Sequence, residues 1–162
     1  MYHPYLKRAV DLALAVPALI LASPVLLLTA AAIRLEDGGP ALFVQQRVGR
    51  HERPITVHKF RSMPVDTRDT PSSQARALTV TRVGAVIRRT NIDELPQLLD
   101  IVRGDMSVVG PRPALAAQAE LVGLRRANGA AALKPGLTGA AQVNAYDDMP
   151  ESEKAAWDGW YA

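Results

Sequence analysis

Leu12 to Ile33 reads LALAVPALILASPVLLLTAAAI, 22 residues without a charge, and its conformation decides the architecture of the chain. As one helix it would measure roughly 33 Å, against about 30 Å of bilayer hydrocarbon. Hydropathy alone favours a membrane-spanning helix. A secretory signal peptide fits poorly, because the stretch is long and Ser23-Pro24 interrupts it. Two features oppose a straight span. Pro24 and Pro17 each remove an interior backbone hydrogen bond. Basic residues also stand on both sides, Lys7 and Arg8 before and Arg34, Arg47, Arg50 and Arg53 after, where a span calls for asymmetry. A helix that bends at Ser23-Pro24 and returns to the face it entered satisfies both flanks. Its arms would each cover roughly 16 Å, about one leaflet, and the Ser23 hydroxyl could bond a carbonyl freed by the bend. On the residues alone, the spanning and re-entrant readings stand level. Asp11, four residues after Lys7, is spaced for an ion pair at the lip of the segment, with a solvated end turn as the competing reading.

Around this segment the composition is that of a folded chain. It has 162 residues, 48% hydrophobic and 22% charged, with 19 basic against 16 acidic side chains. That length suits one domain with a modest core. The absence of cysteine excludes disulfide scaffolds, thiolate metal sites and a cysteine nucleophile. Glu36 to Pro40 is a turn cluster, after which ALFVQQRV and ITVHKF read as two strands of a hairpin. Asp66 to Ala77 reads as a polar loop, and Thr81 to Arg89 as a short helix with one basic side. Ile92, Leu95, Leu98, Leu99 and Val102 recur at helical spacing, ended by Gly104. Asn91 and Glu94 have capping-box spacing, but Pro96 moves the helix start to Leu95 or Pro96 and leaves the acids just outside. Ser107 to Val109 is a short strand, Ala114 to Asn128 a helix, and Lys134 to Gly139 a loop. A last helix, opening near Asp148, carries Trp157, Trp160 and Tyr161, suited equally to a lipid interface or a core.

The chemistry-bearing candidates are Asp93 and Glu94. Adjacent acids at a helix start are often mere caps, but here Lys59, Arg61, Arg82, Arg88, Arg89, Arg103 and Arg112 surround them in sequence. Arginines beside a carboxylate pair suit a phosphorylated ligand, because the guanidinium fork matches phosphate oxygens. A nucleic-acid surface explains the same basic residues less well, given 5% aromatics and an apolar segment it would not need. His3, His51 and His58 lack metal-ligand spacing and read as structural or surface groups. Walker, GxSxG and GxGxxG patterns are absent from the sequence.

The sequence resembles the bacterial sugar transferases, specifically the small monotopic phosphoglycosyl transferases. The resemblance rests on KRAVDLALA (Lys7–Ala15), the Ser23-Pro24 break, GPALFVQQRVGR (Gly39–Arg50), HKFRSM (His58–Met63), TRVGAVIRRTNIDELPQLLDIVRGDMSVVGPRP (Thr81–Pro113) and KPGLTGAAQVN (Lys134–Asn144). It implies an α+β, mainly helical fold. A re-entrant membrane helix (1–36) would precede a small cytosolic catalytic domain (37–162) with amphipathic surface helices and a short β-hairpin. It implies transfer of a sugar 1-phosphate from a UDP-sugar donor to a polyprenyl phosphate acceptor, with release of UMP. Asp93 would be the nucleophile and Glu94 its catalytic partner, linked to a required Mg²⁺. Lys59, Arg61, Arg88 and Arg112 would contact phosphate and nucleotide. The setting would be the cytoplasmic face of the bacterial inner membrane, with membrane lipids as partners, no nucleic acid, and homo-oligomerisation left open. A catalytically idle, membrane-docked binding module is the alternative. Family members commonly continue some tens of residues beyond the position of Ala162, so this chain would be a short form or a truncated one, with membrane seating or acceptor affinity the properties exposed to the loss.

Overall fold

In the computed structural model, which describes residues 4–65, 80–144 and 149–162, the apolar stretch lies within one long helix, α1 (Pro4–Asp37). Helical geometry continues through both Pro17 and Pro24, so the expected break at Ser23-Pro24 does not interrupt the helix. The reason is local. Pro24 cannot donate to the carbonyl of Ile20, and the Ser23 hydroxyl donates to that same oxygen at 2.7 Å. The orphaned acceptor is satisfied without leaving the helix.

One stripe of α1 turns inward. Asp11, Ala15, Thr29 and Ile33 are buried, with Ala18, Leu19, Leu26 and Ala30 partly buried between them, at spacings of three and four. The opposite side stays apolar and open, with Leu14, Ile20, Leu21, Leu27 and Leu28 all more than half exposed. An exposed apolar face of this extent suits a lipid surface rather than water.

Both ends of α1 rest on the same folded body. At the start, Lys7 pairs with Asp11 at 2.8 Å, and the Asp11 carboxylate accepts from the Ser107 hydroxyl at 2.9 Å and the Val108 N–H at 3.0 Å. Asp11 is only 2% exposed, so it is a buried anchor and not a solvated end turn. Arg8 donates to the carbonyls of Ile101 and Val102 at 2.5 and 2.7 Å. At the far end Asp37 pairs with Arg61, and Glu36 accepts from the N–H of Arg82 at 2.7 Å.

The remaining elements follow the sequence closely until its last third. Strands β1 (Leu42–Val48) and β2 (Pro54–Phe60) form the antiparallel hairpin, in register from Leu42 opposite Phe60 to Val48 opposite Pro54. Helix α2 (Arg82–Arg89) is capped by the Thr81 hydroxyl, which accepts from the Gly84 N–H at 2.9 Å. Helix α3 (Gln97–Arg103) ends at Gly104, whose φ of 99° favours glycine. Strand β3 (Ser107–Val109) pairs in parallel with β4 (Gly136–Thr138), inside the stretch read as a loop. Three residues carry no periodicity to betray a strand. What permits the pairing is bare backbone: a Cβ on Gly110 would lie 2.3 Å from the Lys134 carbonyl, and one on Gly136 would lie 2.2 Å from the Gly110 nitrogen.

Helix α4 (Ala119–Ala127) is shorter than its composition suggests, because Ala114 instead bridges to Val48, whose N–H donates to the Ala114 carbonyl at 2.8 Å. Helices α5 (Ala140–Val143) and α6 (Glu151–Tyr161) complete the chain. The helix expected to open near Asp148 begins at Glu151, while Asp148 itself and the Asp66–Ala77 loop lie outside the described residues. In α6, Trp157 meets Trp160 edge to face at 6.2 Å, and Trp160 is largely exposed. A buried pair, Arg125 and Asp158 at 2.6 Å, ties α4 to α6.

Two hydrophobic clusters span α1 and the domain. Ala15 packs with Val57, Leu98, Ile101 and Met106, while Ile33 packs with Ala41, Phe60 and Ile87. Glycine substitution separates close approach from mere flexibility. Gly110→Ala and Gly136→Ala should each destabilise by about 1–3 kcal/mol through steric overlap with backbone. Gly123→Ala, in α4 with nothing within 4 Å, should stabilise by about 0.5–1 kcal/mol. Denaturant unfolding of the detergent-solubilised protein would read all three, and equal behaviour would refute the packing argument.

Candidate active site

The acidic pair sits on a single 3-10 turn, Ile92–Glu94, between α2 and α3. The expected capping box is not formed. Asn91 adopts a left-handed conformation, φ 55°, and makes no side-chain cap, while α3 begins only at Gln97, after Pro96. Asparagine tolerates the left-handed region better than most residues. The turn is clamped on both sides by apolar contacts. Ile92 joins the cluster containing Leu26, Ala30 and Ile33, and Leu95 joins the one containing Ala15, Ala18 and Leu19. The two acids therefore lie between side chains that pack on successive stretches of α1, on either side of Ser23-Pro24.

Strand β2 delivers the first cation. Lys59 donates to Glu94 Oε1 at 2.6 Å, and Arg112, from the turn after β3, donates to the same oxygen at 2.9 Å. The next residue back, His58, faces α3. Its N–H donates to Asp100 Oδ2 at 3.0 Å, and its Nδ1 lies 2.6 Å from Oδ1 of that fully buried carboxylate. Alternation along β2 thus fixes the strand to α3 through one residue and reaches the acidic turn through its neighbour.

The adjacent acids are driven in opposite directions. Burial alone would raise the Glu94 carboxyl, but Lys59 and Arg112 outweigh it and hold the group at about 2. For Asp93 burial is the largest influence, and with the Glu94 charge it pushes the carboxyl above its ordinary 3.8 against the opposing pull of Lys59 and Arg88. Burial likewise lowers the Lys59 ammonium, partly offset by Glu94. Among the described residues, Asp93 receives no hydrogen bond from another side chain. Pairs of titratable groups pushed apart in this way commonly divide chemical roles between them.

Of the basic residues picked out in the sequence, Lys59 and Arg112 touch the pair, and Arg88, on α2, is close enough to Asp93 to act on its charge. Arg61 does not join them. Its guanidinium holds Asp37 and the Pro40 carbonyl, the latter at 2.7 Å, as a buried strut. Arg103 is largely exposed, with Asp100 at 3.8 Å. His58 is structural, as its spacing suggested. Asp100 and Gln97 escaped the sequence reading, because their burial depends on contacts distant in the chain. Among the described residues, the Gln97 Nε2 is buried without a hydrogen-bond partner.

No group of three or more metal-ligating side chains occurs among the described residues. The Lys59 contact and this Arg112 contact both fall on Glu94 Oε1. The acidic pair fits Mg²⁺, which is usually bound through one or two carboxylates together with substrate phosphates. Arg112 also lines a cavity with Val48, Pro111, Val122, Arg125 and Leu133, and neither Asp93 nor Glu94 is in its walls.

A helix long and apolar enough to cross a membrane thus carries a carboxylate pair and three cations over its middle. The family model described as bacterial sugar transferase matches residues 2–162, and the chain belongs to that family. It is 41% identical over 157 residues to the uncharacterized sugar transferase EpsL of Bacillus subtilis, covering 96% of this chain and 77% of that one. It is 42% identical to the UDP-glucose:undecaprenyl-phosphate glucose-1-phosphate transferase of Escherichia coli, over 92% of this chain and 34% of the relative. Identity reaches 45% with the UDP-N-acetylgalactosamine-undecaprenyl-phosphate N-acetylgalactosaminephosphotransferase of Aeromonas hydrophila, over 68% of this chain and 27% of the relative. The chain thus spans about a third or less of the length of these last two.

The opposite shifts make a direct test. In a ¹³C carboxyl titration Glu94 should protonate below Asp93, reversing the usual order of 3.8 for aspartate and 4.5 for glutamate. Arg88→Gln, which removes a cation that lowers Asp93, should move the Asp93 midpoint further up. A downward move would refute the placement of Arg88.

Proposed function

We propose that this chain transfers a sugar 1-phosphate from a UDP-sugar to undecaprenyl phosphate, giving the polyprenyl-diphosphate-sugar and UMP, as the first membrane step in building a glycoconjugate. The observation that carries this reading is the division within the acidic turn: Glu94 is held by two cations, while Asp93 has no side-chain hydrogen-bond partner among the described residues.

In the first displacement an Asp93 oxygen attacks the β-phosphorus of the donor. The bond between that phosphorus and the bridging oxygen breaks, and the electron pair leaves with UMP. The acceptor's phosphate oxygen then attacks the same phosphorus, the aspartyl–phosphorus bond breaks, and the carboxylate is restored. A carboxylate is a weak nucleophile, so the burial that raises Asp93 increases its basicity while the neighbouring cations keep the ionised form accessible. Lys59, Arg88 and Arg112 outnumber the two acids, and a diphosphate would supply the missing negative charge. Their fixed positions favour the charge that develops on the phosphoryl oxygens. Mg²⁺, bound through Glu94 and the diphosphate, would supply further charge neutralisation at the phosphorus.

The seating of α1 supports re-entry from one face, because both flanks of the apolar stretch are tied to the body that carries the acids. A UDP-sugar is a soluble donor, so this face would be the cytoplasmic side of the inner membrane, with the acceptor reaching the same turn from the lipid. The division into 1–36 and 37–162 is one of role: the first seats the chain, the second carries the chemistry.

Asp93→Asn should abolish UMP release, and Glu94→Gln should reduce it at least about a hundredfold, the scale seen when one preorganised charge contact to a transition state is lost. Wild-type protein mixed with UDP-sugar alone should gain the mass of a sugar phosphate, and Asp93→Asn should not. Turnover by Asp93→Asn at the parental rate would overturn the nucleophile. For topology, the chain's lack of cysteine allows His3→Cys and Arg34→Cys to be probed singly. Both should react with a membrane-impermeant thiol reagent from the same side, whereas opposite sides would establish a span.

A further inference from the structure

At the far end of α3 from the acidic turn, two cations converge on bare backbone. A Cβ on Gly104 would find Arg8 Nη2 at 3.5 Å and Lys134 Nζ at 3.7 Å, so both charged ends border the same small space. Arg8 comes from α1 beside Tyr5 and Leu6, which are 90% and 65% exposed, and this places the space at the edge of the apolar surface. Arg50 reaches in from the hairpin turn, its Nε donating to the Ala132 carbonyl at 2.8 Å, two residues before Lys134.

Arg8 is held by two carbonyls, but Lys134 has no hydrogen bond or ion pair among the described residues. The acids facing it are Asp11, already bonded to Lys7, Ser107 and Val108, and Asp105, which is exposed. Burial, then the charges of Arg8 and Arg50, press the Lys134 ammonium below its usual range, and those two acids do not restore it. Three cations drawn together without a matching acid form a place where an anion lowers the energy.

We propose that Arg8, Lys134 and Arg50 form a second anion site, separate from the acidic turn, that binds the phosphodiester of an anionic lipid headgroup at the N-terminal edge of α1. The position selects the source: the site borders exposed apolar side chains of the membrane-facing helix, where a headgroup phosphate lies at the level of the cations while its acyl chains cover Tyr5 and Leu6. Such a contact would fix the depth and roll of α1 at its start.

The test follows the four lysines of the full-length protein by ¹³C reductive methylation in neutral detergent, with Lys134→Arg assigning the signal. Dihexanoyl-phosphatidylglycerol should shift the Lys134 resonance saturably, and dihexanoyl-phosphatidylcholine at the same concentration should not. In Arg50→Gln the half-saturation point should rise about fivefold, the loss expected for one basic contact near a lipid surface. A response to inorganic phosphate equal to that for phosphatidylglycerol would overturn the lipid assignment. No response to any of these anions, an equal response to phosphatidylcholine, or an unchanged Arg50→Gln would overturn the site. The readout is independent of UMP release, so its failure would leave the proposed transfer reaction untouched.

Discussion

A single carboxylate oxygen, Glu94 Oε1, accepts from both Lys59 and Arg112, and the organisation of the site depends on that sharing. The three side chains come from the acidic turn, the hairpin and the turn after β3, and the last two are joined as well by Arg47, which donates to the Pro113 carbonyl at 3.3 Å. Charges that are largely buried are tolerated when each has a partner, and removing one strands the others. The arrangement also explains why neighbouring acids behave differently. Glu94 takes the hydrogen bonds of both cations, and Asp93 is left with burial as its main influence and, among the described residues, no side-chain hydrogen bond.

The glycines around β3 and β4 serve this arrangement indirectly. Arg112 lies two residues beyond Gly110, in a rigid Gly-Pro-Arg-Pro turn whose backbone is pressed against the segment from Lys134 to Gly139. The Gly110 N–H donates to the Thr138 carbonyl at 2.9 Å and the Gly136 N–H to the Pro111 carbonyl at 2.8 Å. Side chains at either glycine would push the two segments apart and carry Arg112 away from Glu94. The two short motifs, distant in sequence, are halves of one backbone contact.

Much of this was legible in the residues. The hairpin showed itself through alternation and flanking turn residues, α2 and α3 through helical spacing, and the acidic pair through its basic company. Pro96 correctly separated the acids from α3, although the Asn91 cap suggested by spacing gave way to a left-handed corner. What stayed hidden depended on contacts between distant segments. Arg61 looked like Lys59 two residues before it, and strand alternation would put both on one face, but β2 ends at Phe60 and Arg61 instead pairs with Asp37 at the end of α1. Asp100 carries no sequence pattern that announces a partner forty-two residues earlier, and β4 is too short to show a period. At Ser23-Pro24 the hydroxyl bonds the carbonyl that the proline frees, as the residues suggested, and it does so without interrupting the helix.

The inward stripe of α1 is part of the same two clusters that clamp the acidic turn, so the greasy segment is a wall of the protein as well as its attachment. Cutting it away to obtain a water-soluble enzyme would open the floor beneath Ile92 and Leu95 and strip Arg61 and the start of α2 of their carboxylate partners. For this fold, attachment to lipid and the shape of the reaction centre are one inheritance, and a replacement anchor would have to reproduce the inner face of the helix before its outer one mattered.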